Sequence, residues 1–299
     1  MTERNLRSAE YTDKLRKLLG DERMKTVICL ESTGSTNLYL KDLAAESGTF
    51  GEKKPVAAEG TVVIAGEQTK GRGRLGRSFE SPKDKGIYLS CLLRPDISPD
   101  EAVKITARTA VCVCRAVQKA CNVLPGIKWV NDLILSGRKF CGILAEMQID
   151  ANTGRISEII IGIGVNVNEE KKDFSESIRN KATSLRLEIG KIQDRAVIAS
   201  EIIKELDGIG DFSPKAEEGF LKAYREYCIL KGREVYVRKT EDIPGDTVDT
   251  EDPSDGGKNR RATVLGINND FSLMVRYDDG SVEDLNTGEV SIRGLNGYL

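Results

Sequence analysis

Residues 70–77 read Lys-Gly-Arg-Gly-Arg-Leu-Gly-Arg, which places four cations and three glycines in eight positions. The chain as a whole carries a formal net charge of only −2. Guanidinium groups bind carboxylate and phosphate oxygens in pairs, and glycine lets the backbone come close to a ligand. The segment therefore predicts a mobile loop that closes over a carboxylated or phosphorylated small molecule.

Composition alone leaves two alternatives for this basic loop: a solvated surface loop, or an Arg-Gly segment that binds nucleic acid. Apolar runs at residues 61–65 and 87–93 flank it, which indicates a loop anchored between two core strands. A nucleic-acid interface would also need interleaved aromatic residues and a second basic stripe, which the sequence lacks. A Walker phosphate loop is excluded, because Arg72 and Gly73 stand where Lys and Ser or Thr are required.

Residues 128–132 read Lys-Trp-Val-Asn-Asp and form a second candidate site, at a predicted turn between strands. A carboxylate there suits Mg²⁺ or the orientation of a nucleophile, and the indole offers a flat apolar wall. An ordinary Asn-Asp turn is the alternative interpretation. The basic loop and Lys139 favour a functional site over an ordinary turn.

The chain contains no histidine. This excludes Ser-His-Asp and Cys-His catalysis as well as two-histidine metal sites. If the protein is an enzyme, its chemistry must depend on preorganised charge from Lys, Arg and Asp, with or without bound Mg²⁺. Such chemistry suits adenylyl or phosphoryl transfer.

The seven cysteines lie mostly in apolar runs and include no Cys-x-x-Cys pair, so we expect reduced core residues rather than a zinc site. No apolar run approaches eighteen residues, and the first twenty residues are charged throughout. We therefore expect no membrane partner, no secretory signal and a cytoplasmic location.

The predicted elements place these candidates in an α+β fold. A strand at residues 26–30 leads into Ser-Thr-Gly-Ser-Thr-Asn at 32–37, where Ser35 is the expected N-cap of a helix. A capping box at 98–101 opens a long helix, and strands follow at 127–130, 133–135, 139–149 and 156–167. Their turns are short enough only for antiparallel neighbours, which predicts an antiparallel or mixed sheet with flanking helices.

The C-terminal part of the chain differs in its predicted secondary structure. Helices are expected at 194–206 and, capped by Ser213 and Pro214, at 215–227. Short β runs at 235–237, 262–265, 273–275 and 290–292 then predict a small β-barrel. The acidic stretch 240–259 is expected to be a solvated loop. Two domains are predicted, 1–230 and 231–299.

Residues 161–168 read Ile-Gly-Ile-Gly-Val-Asn-Val-Asn, which resembles the start of a dinucleotide fingerprint. The third glycine and the following helix are missing, which disfavours a Rossmann fold. Glycines in a strand instead predict that a ligand or another backbone approaches closely.

Several segments together resemble the bacterial biotin protein ligases. In the family's order they are Glu-Ser-Thr-Gly-Ser-Thr-Asn at 31–37, Gln68 with the Gly-Arg-Gly-Arg loop, Lys-Trp-Val-Asn-Asp-Leu at 128–133, Arg-Lys-Phe-Cys-Gly-Ile-Leu-Ala-Glu at 138–146, and Gly-Ile-Gly-Val-Asn-Val-Asn at 162–168. The resemblance implies a catalytic domain like those of class II aminoacyl-tRNA synthetases, followed by an SH3-like barrel.

The resemblance also implies a two-step reaction. Biotin and ATP give biotinyl-adenylate and pyrophosphate, and a lysine of the biotin carboxyl carrier protein of acetyl-CoA carboxylase, or of a related carboxylase, then attacks the mixed anhydride. Biotin's carboxylate is ionised at neutral pH, so the first step needs charge compensation rather than a general base. Biotin, ATP and Mg²⁺ are the expected small molecules.

Site roles follow from the resemblance position by position. The residues implied to bind biotin are Ser35, Thr36, Asn37, Gln68, Gly71, Arg72, Gly73, Arg74, Lys139 and Gly142. Those implied on the nucleotide side are Arg74, Arg77, Phe79, Lys128, Asn131, Asp132, Asn166 and Arg293. Lys139, Arg74 and Asp132 are the expected catalytic residues. Asp132 acts either on the metal or on the acceptor lysine, and no metal-ligand set is assigned.

Three positions depart from the family pattern. Leu75 stands where the family often has another basic residue, Val130 where proline is usual, and Phe79 where tryptophan is common. The loop loses a little charge and the turn a rigid element, whereas an aromatic wall remains. We expect altered affinity rather than lost activity.

A lipoate or octanoate ligase or transferase is the alternative enzyme, since it shares the fold type and acylates the same class of carrier lysine. The basic loop and the Lys-Trp-x-Asn-Asp turn favour biotin. About 25 residues precede the first predicted strand, too few for the winged helix with which some members bind DNA, so no DNA partner is expected. Family members often pair through the catalytic sheet, so a homodimer is possible.

Overall fold

The structure is a computed structural model that describes residues 9–45, 57–239, 260–286 and 290–294. Its larger sheet has seven strands: β1 (Val27–Leu30), β2 (Val62–Ala65), β3 (Ile87–Leu93), β4 (Gly126–Lys128), β5 (Asp132–Leu135), β6 (Arg138–Ile149) and β7 (Ile156–Val165). The strand order is β1-β2-β3-β7-β6-β5-β4. Strands β1 and β2 are parallel, and every other neighbouring pair is antiparallel. The predicted α+β class with a mixed sheet is confirmed.

Seven α-helices accompany this sheet in the described part of the chain. They are α1 (Ala9–Leu19), α2 (Asp21–Met24), α3 (Thr36–Ala44), α4 (Ala102–Cys121), α5 (Leu185–Ile189), α6 (Arg195–Leu206) and α7 (Pro214–Tyr227). Residues of β7 alternate between two apolar clusters, as a strand with both faces covered requires. Ile161 packs in the large cluster that includes α4 and α6, whereas Ile160 packs with Leu40 of α3. Helix α3 therefore covers part of the opposite face.

The helix starts follow the predicted caps in most cases. The Ser213 hydroxyl accepts a hydrogen bond from the Ala216 amide at the start of α7. The Glu101 carboxylate accepts one from the Ser98 amide (3.1 Å), as a capping box requires. A short 3₁₀ turn intervenes there, so α4 begins at Ala102 rather than at the proline.

A second, five-stranded sheet lies in the C-terminal part. It contains β8 (Glu234–Lys239), β9 (Arg260–Ile267), β10 (Leu273–Tyr277), β11 (Val282–Leu285) and β12 (Val290–Gly294). The strands are antiparallel in the order β11-β10-β9-β8-β12. The sequence missed β11 because its two acidic residues obscure the apolar alternation. The 240–259 expectation lies outside the described residues, and the domain boundary stays a prediction.

Contacts around Trp129 join the two sheets. The indole N–H of Trp129 donates to the carbonyl of Phe271 in the turn between β9 and β10 (2.9 Å). The Phe271 ring meets the Tyr224 ring edge to face at 5.5 Å, and the Tyr224 hydroxyl donates to the carbonyl of Val130 (3.3 Å). Trp129 is only 6% exposed, so its expected role as an apolar wall of the site is wrong.

The cysteines are all free, and burial raises the pKa of the Cys91 thiol to about 12. Five are buried, and Cys121 and Cys228 are half-buried. The prediction of reduced core residues is confirmed for those five. Within the described ranges, none of the helices combines the length and the apolar character that crossing a bilayer demands.

Glu169 makes the stability of the fold depend on pH. It is 1% exposed, and burial raises its pKa from 4.5 to about 7, although the Tyr88 hydroxyl donates to one carboxylate oxygen (3.3 Å). The pKa of Glu169 in the folded protein exceeds its pKa in the unfolded chain. The stability that the neutral Glu169 contributes to the fold is therefore complete below about pH 4.5, and it is lost as the pH rises through 7. We expect Glu169 to lower the free energy of unfolding by on the order of 3 kcal/mol across that window.

Urea unfolding at pH 5.5 and pH 8 tests this prediction. Glu169→Gln should flatten the difference between the two pH values, since the amide does not titrate. Glu176→Gln, which changes an exposed glutamate nearby, should keep the parent's pH dependence. Equal pH dependence in the parent and in Glu169→Gln would contradict the assignment.

Candidate functional site

A cleft opens on the α3 side of the large sheet and holds about 490 Å³ of space, part of it continuous with solvent. The lining residues are Ser35, Thr36, Asn37, Gln68, Arg72, Gly73, Arg74, Phe79, Leu89, Asn131, Lys139, Gly142, Ile143, Leu144, Gly162, Ile163 and Gly164. Eleven of the residues that the sequence implicated therefore meet in one place.

Glycines form the floor of the cleft. Gly142 of β6 pairs with Gly164 of β7, and Gly162 lies two residues earlier on the same face. A Cβ on Gly164 would lie 2.6 Å from the ring of Phe79, and one on Gly162 would lie 2.3 Å from Oδ1 of Asn37. The sequence predicted a close approach at the strand glycines. In the structure the groups that approach are two side chains of the cleft wall, Phe79 at Gly164 and Asn37 at Gly162.

Gln68 closes the N-terminus of α3 at one end of the cleft. Its Oε1 accepts hydrogen bonds from the backbone N–H (2.9 Å) and the hydroxyl (3.0 Å) of Thr36, and its Nε2 donates to the Ser81 hydroxyl (3.1 Å). Ser35 occupies the N-cap position as predicted, but its side chain makes no capping hydrogen bond. The predicted capping role of Ser35 is therefore wrong, because Gln68 supplies the acceptor from a distant loop.

Ser90 lies beneath this polar end and was missed from the sequence. Its hydroxyl donates to Oδ1 of Asn37 (2.5 Å) and lies 2.7 Å from Oγ1 of Thr36. Ser90 is fully buried in β3, where the whole strand is buried. A hydroxyl within an otherwise apolar, two-sided strand is the signal that could have identified it.

Gly162→Ala tests the floor of the cleft. The new methyl group would displace Asn37, whose amide is already held by Ser90, so we expect at least about a tenfold loss of ligand affinity. Isothermal titration calorimetry with the ligand proposed below measures it. Gly266→Ala in β9, where a Cβ has open space, is the control that should keep full affinity. Unchanged affinity in Gly162→Ala would mean that Asn37 does not contact the ligand.

The basic loop folds as a tight hairpin beside the cleft. The Gly73 amide donates to the Arg77 carbonyl (2.7 Å), and the Phe79 amide donates to the Gly71 carbonyl (3.0 Å). At its tip Leu75 and Gly76 both have positive φ, 56° and 73°. Gly71 has no room for a side chain, because a Cβ would lie 2.3 Å from the Phe79 carbonyl oxygen.

Three cations reach the cleft, each with its own partner. Arg72 pairs with Glu146 (2.9 Å), Lys139 pairs with Asp132 (2.5 Å), and Arg74 donates to Oδ1 of Asn131 (3.1 Å). Burial lowers the pKa of Arg74, Asp132 opposes that shift, and Arg77 reinforces it. A guanidinium remains protonated at neutral pH even so. Arg74 is thus a desolvated positive charge held by a neutral amide, which favours binding of an anion.

The turn at residues 128–132 carries two of these partners. Asn131 donates through Nδ2 to the carbonyl of Ile143 (2.9 Å), which orients its Oδ1 towards Arg74. Asp132 begins β5 opposite Gly142 of β6, and its carboxylate meets Lys139 at the rim of the cleft. The turn therefore positions Asn131 against Arg74 and Asp132 against Lys139.

Five implicated residues do not line the cleft. Lys128 is buried in β4, Asn166 is buried with Nδ2 donating to the Thr183 carbonyl (3.0 Å), and Gly71 lies at the base of the hairpin. Asp132 pairs with Lys139 at the rim, and Arg77 is exposed on the hairpin. A sixth, Arg293, belongs to β12, and its side chain is outside the described part of the structure. The roles of these residues stay predictions.

The donors for Mg²⁺ form a sparse set. Within the described ranges, no group of three or more acidic, cysteine or histidine side chains converges. Mg²⁺ is commonly held by one or two carboxylates together with the phosphates of its nucleotide. Asp132, a partly exposed carboxylate beside the cations, fits that pattern as a single protein ligand.

The arrangement suits electrostatic rather than acid–base chemistry. Hydroxyl and amide groups meet at the α3 end, Arg74 and Lys139 lie with Asn131 and Asp132 at the other end, and the glycine floor lies between them. A molecule with a polar head and an anionic tail can lie across the floor with its tail between Arg74 and Lys139. Such preorganised cations stabilise charge where two anions are joined.

Comparison with known proteins points to one family. Residues 50–166 match the model of the Biotin/lipoate A/B protein ligase family. A bifunctional ligase/repressor BirA of Bacillus subtilis is 41% identical over 147 residues, 49% of this chain and 45% of that protein. A biotin--[acetyl-CoA-carboxylase] ligase of Mycobacterium tuberculosis is 33% identical over 180 residues, 58% of this chain and 60% of that protein. The matches thus span about half the length of these relatives.

The fold has a close counterpart among solved structures. The biotin protein ligase of Aquifex aeolicus, solved in complex with biotin and ATP, superimposes with a TM-score of 0.68 at 24% identity. The match covers 90% of this chain and 98% of the other. The large mixed sheet with its flanking helices is therefore the fold of that protein.

Proposed function

We propose that this chain, which carries a Biotin/lipoate A/B protein ligase domain over residues 50–166 and has the fold of a biotin protein ligase, is itself a biotin protein ligase. One observation carries the proposal: a hydroxyl–amide wall and two cations, Arg74 and Lys139, face each other across a glycine floor. Biotin has a polar ureido head and a carboxylate tail, which match the two ends.

The first step joins biotin's carboxylate to the α-phosphorus of ATP and releases pyrophosphate. Arg74 and Lys139 offset the charge of the two anions as they meet, and the carboxylate needs no base because it is already ionised. Thr36, Asn37 and Gln68 hold the head so that the carboxylate faces the phosphate. Bound Mg²⁺ would neutralise phosphate charge, with Asp132 as its candidate protein ligand.

The second step transfers biotin to the ε-amine of a carrier lysine and releases AMP. The acceptor must approach the rim where Asp132 lies next to Lys139. Asp132 can accept a hydrogen bond from the incoming amine and orient it. We propose the biotin carboxyl carrier protein of a carboxylase as this acceptor, by analogy with the ligase of Mycobacterium tuberculosis named above.

An open strand edge supports a protein contact near the cleft. On the β5 side, β6 pairs with β5 from Arg138 to Gly142 and the Ile143 amide donates to the Asn131 carbonyl (3.1 Å), and no described strand pairs with it beyond that point. On the β7 side its pairing continues to Ile149. Met147 and Ile149 are each almost half exposed on this stretch. An unpaired edge can receive a strand from another chain. We propose that a second copy pairs here, and light scattering at increasing protein concentration tests it.

Lipoate or octanoate transfer is the second candidate, favoured by the family model, whose description includes lipoate ligases. Lipoate has no ureido group, so it would make fewer hydrogen bonds than biotin with Ser35, Thr36 and Gln68, which line the α3 end of the cleft. Pyrophosphate release measured side by side with biotin, lipoate and octanoate, in the presence of ATP and Mg²⁺, separates the two. Release with biotin alone supports our proposal, and release only with lipoate or octanoate overturns it.

Further parts of the proposal concern the chain outside the cleft. We propose that the five-stranded sheet completes an SH3-like barrel, that Arg293 and Arg77 contact the nucleotide, and that the protein works in the cytoplasm. Fluorescent ATP binding to Arg293→Ala and Arg77→Ala variants tests the two arginines.

A further inference from the structure

Glu146 joins two walls of the cleft. It lies on β6, four residues after Gly142 and on the same face of the sheet. One carboxylate oxygen accepts from Nη1 of Arg72 on the hairpin (2.9 Å), and the other accepts from Nδ2 of Asn37 on α3 (2.8 Å). No other described side chain bonds both to the hairpin and to α3.

The carboxylate is the form that this geometry requires. Both partners donate, and an ionised carboxylate is an acceptor at both oxygens. The Asn37 amide is held at its other end by the Ser90 hydroxyl (2.5 Å), so its NH₂ group must face Glu146. A glutamine in place of Glu146 would present one NH₂ group to a donor and lose one of the two bonds.

A negative charge here is otherwise unfavourable for a site that binds anions. Glu146 neutralises Arg72, while Arg74 on the same hairpin is held by the neutral Asn131. The hairpin can therefore dock on the sheet without a ligand. Arg74 takes no part in this docking through Glu146 and stays available to bind an anionic ligand. The docked position of the hairpin is thus set by the protein itself.

We propose that Glu146 is a positioning residue that latches the basic hairpin against α3 and the sheet, so that the hairpin already holds its place in the cleft wall when ligand arrives. The inference rests on the proposed function only for its kinetic consequence. The latch itself concerns the ligand-free protein.

Limited trypsin digestion of the ligand-free protein tests the latch, because the hairpin offers cleavage sites at Lys70, Arg72, Arg74 and Arg77. Intact-mass analysis should show that Glu146→Gln and Glu146→Ala raise the rate of cleavage within residues 70–77 at least about fivefold, with an unchanged melting temperature. Glu234→Gln, which alters a glutamate paired with an arginine on the second sheet, is the matched control and should match the parent.

Unchanged cleavage within 70–77 would overturn the latch. Faster cleavage throughout the chain, together with a lower melting temperature, would also overturn it, because Glu146 would then be a general stabilising residue. A second readout separates positioning from structure: KM for biotin should rise about tenfold in Glu146→Gln, while kcat falls less than threefold. If biotin proves not to be a substrate but hairpin cleavage rises, the proposed function fails and the latch stands.

Discussion

Lys139→Ala should lower the rate of adenylate formation on the order of 10²- to 10³-fold, the usual cost of removing one preorganised charge from a developing anion. Biotin affinity should change less than about tenfold, because the ammonium matters most as charge develops at the phosphorus. Lys139 lines the cleft, and its Nζ lies 2.5 Å from Asp132 at the rim. Single-turnover formation of biotinyl-adenylate and equilibrium binding of biotin measure the two quantities.

Loss of the ion pair itself needs a control, because Lys139→Ala also leaves Asp132 without Lys139. Lys85 and Asp173 form a similarly buried pair outside the cleft, with side chains 33% and 18% exposed against 29% and 20% for Lys139 and Asp132. Lys85→Ala should retain the parent's rate of adenylate formation. Equal losses of rate and of biotin binding in Lys139→Ala would argue that Lys139 serves binding alone.

Arg74→Ala should release the activated intermediate faster, on the order of 10- to 100-fold, since a charged hydrogen bond to phosphate contributes about 1.5–3 kcal/mol. Arg74 is the hairpin cation whose partner is neutral and whose pKa burial lowers, so its charge is available to the adenylate phosphate. The rate at which labelled biotinyl-adenylate leaves the protein, measured by rapid gel filtration, gives the effect directly.

Lys70→Ala is the matched control for Arg74→Ala. It removes a cation from the base of the same hairpin, at an exposed position outside the cleft lining, so the intermediate should be retained as in the parent. Equal release from Arg74→Ala and from the parent would exclude Arg74 from phosphate binding. Faster release from both variants would implicate the overall charge of the hairpin instead.

The sequence predicted the parts of the fold that local patterns determine. Apolar runs located β3 and β6 to within one residue, and the serine before Pro214 located the start of α7. Short turns predicted the antiparallel pairs β4–β5, β5–β6 and β6–β7 because such connections leave no room for a crossover. The glycines of the cleft were identified because glycine is unusual inside a strand. The hairpin cations were identified because four cations fall within eight residues.

Residues whose role depends on distant partners could not be predicted in this way. Ser35 has the right type and position for an N-cap, yet Gln68 provides the acceptor from 33 positions further along the chain. Ser90 and Glu146 are ordinary strand residues until folding places α3 and the hairpin beside them. Trp129 was expected to face ligand, but a carbonyl more than a hundred residues away accepts its N–H.

The bond between Trp129 and Phe271 bears on how this protein can be divided or recombined. A shortened chain that ends before β9 would leave a buried indole N–H without an acceptor, next to the turn that holds Asn131 and Asp132. A chimaera that imports a foreign C-terminal sheet must therefore also import a carbonyl at the position of Phe271. The C-terminal sheet is in this sense part of the scaffold of the candidate site, and replacing the chain after residue 230 would disturb the turn that holds Asn131 and Asp132.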